Sequence, residues 1–331
     1  MGATVAPEQI LKELAQLWID TGKQGEAEGG TGVLRACSMT LLVLAEASED
    51  TQSLGETIAA LMPEHPARAI VVRLSGEGER ALAERVYSQC WMPFGQRKQI
   101  CCEQVEITVS DAALDDLRSV VLPLAVPDLP LILWCRSARL PEMPEFWRIA
   151  AMAAKVVLDS GAAPDTAGAL RRARAVAASG TMLGDLSWTR LTRWREMLSQ
   201  MFENQRNLAR LTNIASVEVE WGGEHAVSAL YLGAWIADSL ASVGVKPSLK
   251  ISRAAEENSL RVRLTGEDFA AELLRREDRM VVTLDGVSQC TNLPRPTDYL
   301  LVREELGIVR HDPVFEKTLA SAARLAEGAE K

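Results

Sequence analysis

Asp185-Leu186-Ser187-Trp188-Thr189-Arg190-Leu191-Thr192-Arg193-Trp194-Arg195-Glu196-Met197-Leu198 places two tryptophans and three arginines in fourteen residues of a chain with only 5% aromatic residues and a net charge of −9. On a helix, Trp188, Leu191, Trp194, Leu198, Met201 and Phe202 recur at spacings of three and four, so they share one face. Arg190 and Arg193 lie off that face, with Arg195 at its border. The spacing predicts a core helix that turns its charges outward. The hydrophobic rhythm differs on the two sides of this stretch, and that difference decides the fold.

Upstream, apolar runs alternate with helical patterns. Cys37–Ala45, Arg68–Leu74, Ile100–Val109, Leu131–Cys135 and Lys155–Leu158 read as strands. Pro7–Asp20, Thr51–Met62, Glu79–Cys90, Asp111–Val121, Pro144–Ala151 and Asp165–Ala178 read as helices, with a glycine-rich loop over Gly22–Gly32. Strands alternating with helices predict a mostly parallel sheet covered on both faces. Downstream, the strand Ser216–Trp221 and the helix His225–Ser242 precede four strand-like segments, Ser248–Ser252, Ser259–Leu264, Ala270–Arg275 and Met280–Leu284. The first two and the last two are expected to pair as hairpins. Helices over Thr297–Leu306 and Pro313–Glu327 close the chain. The expectation is an α/β N-terminal domain with a mostly parallel sheet over 1–180, then an α+β C-terminal domain with an antiparallel sheet over 181–331.

A chain of 331 residues exceeds the usual size of one core, which also favours two domains. No long uncharged apolar run and no signal-peptide pattern is present, so a soluble cytoplasmic protein without membrane association is expected. The acidic balance argues against nucleic acid as a partner. The six cysteines lack a CxxC pair, and His65, His225 and His311 are far apart in sequence, so no metal is expected. The cysteines read as reduced and mostly buried thiols.

No catalytic constellation emerges. Ser75-Gly76-Glu77-Gly78-Glu79-Arg80-Ala81 follows a strand and matches GxGxxA, the turn that brings backbone close to a pyrophosphate at a helix start. Glu77 and Glu79 oppose a phosphate there, which favours a plain strand-to-helix turn. His65 stands at a loop corner, where a structural role is expected ahead of one as a base or an anion ligand. Asp128 in Val126-Pro127-Asp128-Leu129-Pro130 can satisfy backbone donors before a buried strand. Trp134, at that strand's end, is a packing residue near the rim where α/β sheets bind ligands. From Arg171 to Arg210 there are eight arginines against Asp185, Glu196 and Glu203, a local excess of +5. Arginine and tryptophan together suit either a solvated helix face or a binding surface.

These pieces, taken in order, resemble the glucose-6-phosphate dehydrogenase assembly protein family, OpcA. The likeness rests on Arg35, on His65-Pro66-Ala67-Arg68-Ala69-Ile70-Val71-Val72, and on Val121 to Pro130 with Leu133-Trp134. It continues through Asp159-Ser160, Asp185 to Thr192 with Trp194-Arg195, and Tyr231-Leu232-Gly233-Ala234-Trp235-Ile236-Ala237. The chain departs from the family's usual pattern at Arg193, where proline is common, and at Cys135, where tryptophan is common. The resemblance implies a protein without cofactor or catalysis that binds glucose-6-phosphate dehydrogenase and supports the oxidative pentose phosphate pathway. Allosteric activation, by favouring the active oligomer of that enzyme, is the expected mechanism. Asp185, Trp188, Thr189, Thr192 and Trp194, with Trp134 and Asp128, are expected to be structural. Arg190, Arg193, Arg195, His65 and Arg68 are the expected partner- or anion-binding residues. The alternative is an α/β enzyme or sensor that binds a sugar phosphate or nucleotide through an arginine cluster.

Overall fold

The computed structural model describes residues 7–27, 33–91 and 99–329. In chain order the first elements are α1 (Pro7–Ala27), β1 (Val33–Arg35), β2 (Met39–Glu46), α2 (Thr51–Leu61), β3 (Ala67–Leu74), β4 (Leu82–Trp91), β5 (Gln99–Val109), α3 (Leu114–Leu124), β6 (Leu131–Cys135), α4 (Pro144–Ala150) and β7 (Lys155–Leu158). They are followed by α5 (Thr166–Ala178), β8 (Met182–Asp185), α6 (Leu186–Thr189), α7 (Thr192–Met201), α8 (Gln205–Arg210), β9 (Ile214–Trp221) and α9 (Ala226–Ser242). Strands β10 (Ser248–Arg253), β11 (Ser259–Gly266), β12 (Ala270–Arg276), β13 (Arg279–Leu284) and β14 (Val287–Asn292) precede α10 (Asp298–Gly307) and α11 (Pro313–Ala329). Two compact units result, Met1–Leu158 with Asp298–Gly307, and Asp159–Thr297 with Ile308–Lys331.

In the first unit the parallel strands run β5-β3-β2-β6-β7. Apolar residues Leu41 to Ala45 and Ile70 to Val72 are buried without alternation, as a sheet covered on both faces requires. Strand β5 carries β1 at Gln99–Cys101 and β3 at Gln104–Val109 along one edge, and β4 runs antiparallel along the other. The helix expected over Glu79–Cys90 is therefore a strand. Ala81, Leu82, Ala83 and Glu84 favour helix intrinsically, but pairing along β5 overrides that preference. The same finding removes the nucleotide turn. Ser75–Ala81 leads into a strand and offers no helix N-terminus. Gly22 to Ala27, expected in a loop, continue α1, while residues 28–32 lie outside the described residues.

At the carboxyl ends of β2 and β6 a charge network fills the crevice where a doubly wound sheet would take a ligand. Arg139 pairs with Glu46 and Asp111, and Arg136 pairs with Glu49 and with Asp298 at the start of α10. Deeper in the unit, Lys155 of β7 bonds Glu305 of α10 at 2.8 Å, both side chains 3% exposed. Burial raises the Cys102 and Cys135 thiols to about 11 and 12, which keeps them protonated. Cys290 in the second unit is exposed.

The second unit is a sheet of order β10-β9-β11-β12-β13-β14, antiparallel except for β9 and β10. The fold class read from sequence is thus observed in both halves. One expected hairpin is not: β10 pairs in parallel with β9, and β11 takes the other edge of β9. Helix α9 is the crossover of a β9–α9–β10 unit, because parallel neighbours need a long return. The hairpin of β12 and β13 forms as expected. Strand β14 escaped sequence reading because all six of its residues are exposed and show no alternation. Val217, Val219, Val262, Leu264 and Leu273 bury one face of the sheet. The other face carries cross-strand ion pairs, Arg261 with Glu220 and Arg263 with Glu218 and Glu272.

Arg68 generates a test. Its guanidinium is buried, paired with Glu103, and it donates to the Leu124 carbonyl at 2.6 Å. Trp18 donates to the same carboxylate, so one ion pair joins α1, β3, β5 and α3. Arg68→Ala removes a buried positive charge that pairs with Glu103 and is expected to cost about 3–5 kcal/mol in urea denaturation. The double replacement Arg68→Met with Glu103→Met is expected to cost clearly less. Equal losses from the two variants would contradict the burial argument.

Candidate functional site

The diagnostic stretch does not form one helix. Strand β8 ends at Asp185, α6 spans Leu186–Thr189, and α7 begins at Thr192. Asp185 sets the break. With extended backbone (φ −124°, ψ 114°) it caps α6, its carboxylate accepting from the Ser187 N–H at 2.9 Å. The same oxygen accepts from the Ser160 N–H at 3.1 Å, and the other accepts from the Tyr231 hydroxyl at 2.7 Å. Asp185 is fully buried. Burial, reinforced by nearby Asp159, raises its pKa to about 6 despite these donors. Burial and Asp185 likewise push the Tyr231 phenol well above its ordinary value, so it stays a donor.

Around this carboxylate the apolar face packs as the spacing predicted. Trp188, Leu191, Trp194, Leu198 and Met201 are all buried. Trp188 meets Tyr231 edge-on at 5.8 Å and Phe315 of α11 at 5.8 Å. Thr189 donates to the Asp185 carbonyl at 3.0 Å. Thr192 accepts from Arg195 at 3.0 Å.

The three arginines take separate roles. Arg190 forks onto Asp159, with Nη1 on Oδ1 at 2.9 Å and Nη2 on Oδ2 at 2.6 Å. Burial works to raise the Asp159 pKa, but Arg190 outweighs it and holds the carboxyl below its ordinary value. Ser187 also donates to Asp159 at 2.6 Å, and its oxygen accepts the Gly161 N–H at 3.0 Å. Arg195 lies over the Trp188 ring at 3.6 Å and donates to the Trp188 carbonyl at 2.7 Å. Arg193 is 70% exposed and pairs with Glu196 one turn away.

The remaining expected site residues fall in the first unit. His65 is half-buried at the α2–β3 corner, and Arg68 is buried. Asp128 is exposed with a positive φ of 63°, a turn conformation that short polar side chains tolerate. Trp134 is 1% exposed, with the Arg136 guanidinium 4.8 Å from its ring centroid.

A polar cavity in the second unit was not foreseen from the sequence. About 740 Å³ in volume, it is lined by Asp159, Ser187 and Arg190 together with Trp221, Arg253, Arg275 and Arg295. Glu224 and His225, with Ala226, Val227 and Ser228 of the first turn of α9, also line it. His225, at the cap of α9, has its pKa lowered to about 4 by burial and by Arg295 and Arg275, so it is neutral at pH 7. Gly222-Gly223 preceding that helix was the signal available in the sequence.

Two family models match the chain. One, described as the glucose-6-phosphate dehydrogenase subunit N-terminal domain, matches residues 58–175, and one for the C-terminal domain of the same subunit matches 181–319. A Nostoc punctiforme protein described as "Putative OxPP cycle protein OpcA" is 29% identical over 181 residues, covering 53% of this chain and 38% of that protein. A Synechocystis protein of the same description is 25% identical over 191 residues, covering 56% and 39%. The match thus spans about two-fifths of the length of these relatives. Among solved structures, a dehydrogenase from Chromobacterium violaceum aligns at 12% identity with a TM-score of 0.47, over 88% of this chain and 94% of that one. A dehydrogenase from Clostridium difficile aligns at 9% identity with a TM-score of 0.44, over 88% and 98%.

Asp185 makes stability depend on pH in a definite direction. A carboxyl whose folded pKa lies above its unfolded value of 3.8 contributes stability that is complete below that value. The contribution disappears as pH rises through 6. Asp159, with its lowered pKa, acts in the opposite sense and loses its contribution only as pH falls. Asp185→Asn removes the Asp185 contribution and keeps the Asp159–Arg190 pair. The stability advantage of wild type over this variant is expected to shrink by about 2 kcal/mol between pH 4 and pH 7. Urea titrations at both pH values measure it; a constant difference would mean that Asp185 titrates normally.

Proposed function

The chain belongs to the OpcA family of glucose-6-phosphate dehydrogenase subunits, and from that premise we propose that it is a non-catalytic assembly factor for that dehydrogenase. In this reading it binds the enzyme, favours its active oligomer and so supports the oxidative pentose phosphate pathway in the cytoplasm. The observation that carries the reading is the match of both family domains, in order, over residues 58–175 and 181–319. The side chains of the family motif support a binding role over a chemical one. Asp185, Ser187 and Tyr231 hydrogen-bond inside the protein and hold the backbone.

To activate, the protein must bind the active oligomer more tightly than the inactive form, since equal affinity shifts no population. Of the five basic residues considered for the contact, Arg193 is the most exposed, and we assign it the principal role, with His65 secondary. Arg68 is buried, and Arg190 and Arg195 are engaged with Asp159 and Trp188, so their contribution is to hold the surrounding surface in shape.

Titrating the purified chain into its cognate glucose-6-phosphate dehydrogenase, while recording activity and oligomer mass, tests the proposal. Higher activity together with a shift toward the larger oligomer is expected at micromolar concentrations. No change in either quantity would overturn it. Arg193→Glu is expected to weaken the response about tenfold, the effect of losing roughly 1.4 kcal/mol of binding. An unaltered response would remove Arg193 from the contact.

A further inference from the structure

The glycine turn sought in the first unit has a counterpart in the second. Strand β9 ends at Trp221, turns through Gly222 and Gly223, and enters α9 at Ala226. Gly223 has a φ of +60°, and a Cβ on Gly222 would stand 1.9 Å from the Glu256 carbonyl oxygen, so both positions need glycine. Among the described residues, no side chain caps the start of α9. The first turn of such a helix presents backbone N–H groups and the positive end of its dipole. Here Ala226, Val227 and Ser228 of that turn line the 740 Å³ cavity.

Arginines outnumber carboxylates on the cavity wall. Arg253 ends β10 directly beside Trp221, its guanidinium 5.5 Å from the indole ring, so the carboxyl ends of two parallel strands open here. Arg275, near the end of β12, and Arg295 complete the wall. Among the described residues, no carboxylate pairs with Arg253, Arg275 or Arg295. Arg275 donates through Nε to the Glu277 carbonyl, while its Nη2 is buried without a partner. Of the two acidic groups on the cavity wall, Asp159 is held by Arg190, which leaves Glu224 against the three arginines. Three guanidinium groups without a carboxylate partner among the described residues thus gather at this helix start, and burial with the Arg295 charge lowers the Arg275 pKa against the opposing pull of Asp278.

We infer that this cavity binds a phosphate monoester of a small metabolite, with the phosphate held by the first turn of α9 and by Arg253, Arg275 and Arg295. A phosphate dianion matches the charge, and its oxygens suit guanidinium forks and helix N–H groups together. The volume far exceeds a bare phosphate and falls in the range of small-molecule sites, leaving room for an organic body against Trp221. This site uses arginines other than those of the family motif, and it stands whether or not the chain acts on the dehydrogenase.

Isothermal titration of the full chain at low salt, with glycerol 3-phosphate and inorganic phosphate as probes, tests the inference. Saturable binding with Kd below about 1 mM is expected for the ester, with inorganic phosphate weaker. The double variant Arg253→Gln with Arg295→Gln alters two exposed side chains, so folding should be retained, and affinity should fall at least about tenfold. Arg171→Gln with Arg174→Gln removes equal charge from exposed positions on α5 and should leave affinity unchanged. Absence of saturable binding at about 10 mM ester, or an equal loss in the two variants, would overturn the inference.

Discussion

The carboxylate of Asp185 gathers three donors from three places in the chain: the Ser160 N–H, the Ser187 N–H and the Tyr231 hydroxyl. Taking a carboxylate out of water is costly unless such bonds replace its hydration. The cost makes the arrangement specific, because only one placement of the loop at Ser160, of α6 and of α9 supplies all three donors. Trp188, Tyr231 and Phe315 then close over it as an aromatic cluster. Asp159 and Arg190, bound to each other beside this core, carry the same network out to the cavity wall.

The two units handle charge differently. In the first, the crevice at the strand ends is filled by Arg136, Arg139 and their carboxylates, so the usual ligand position of a doubly wound sheet is occupied by the protein's own ion pairs. In the second, the strand ends of β9 and β10 lie beside arginines that, among the described residues, have no carboxylate partner. The inferred binding role therefore belongs to the second unit, while the ion pairs of the first hold the ends of its own strands.

Much of the site was legible in outline. The spacing of Trp188, Leu191, Trp194 and Leu198 identified a buried face, and all four are buried. What the spacing could not show was the break between α6 and α7, because Leu191 keeps the apolar period through it. The basic excess from Arg171 to Arg210 was visible as composition, but composition treats Arg190, Arg193 and Arg195 alike. In space one binds Asp159, one exposes most of its surface, and one lies on an indole ring. Arg253, Arg275 and Arg295 are spread over more than forty residues, so no local pattern joined them.

By itself the sequence determined the class of each half, since apolar period and turn residues act locally and strands or helices follow from them. It also determined the family, because the motif residues occur in order along the chain. The tertiary structure decided which strands pair and which charges meet. Leu82 to Trp91 became a strand because β5 had a free edge, and β10 joined β9 because α9 carried the chain back in parallel. Pairing partners and ion pairs depend on groups distant in sequence, and their energies exist only once the chain has brought them together.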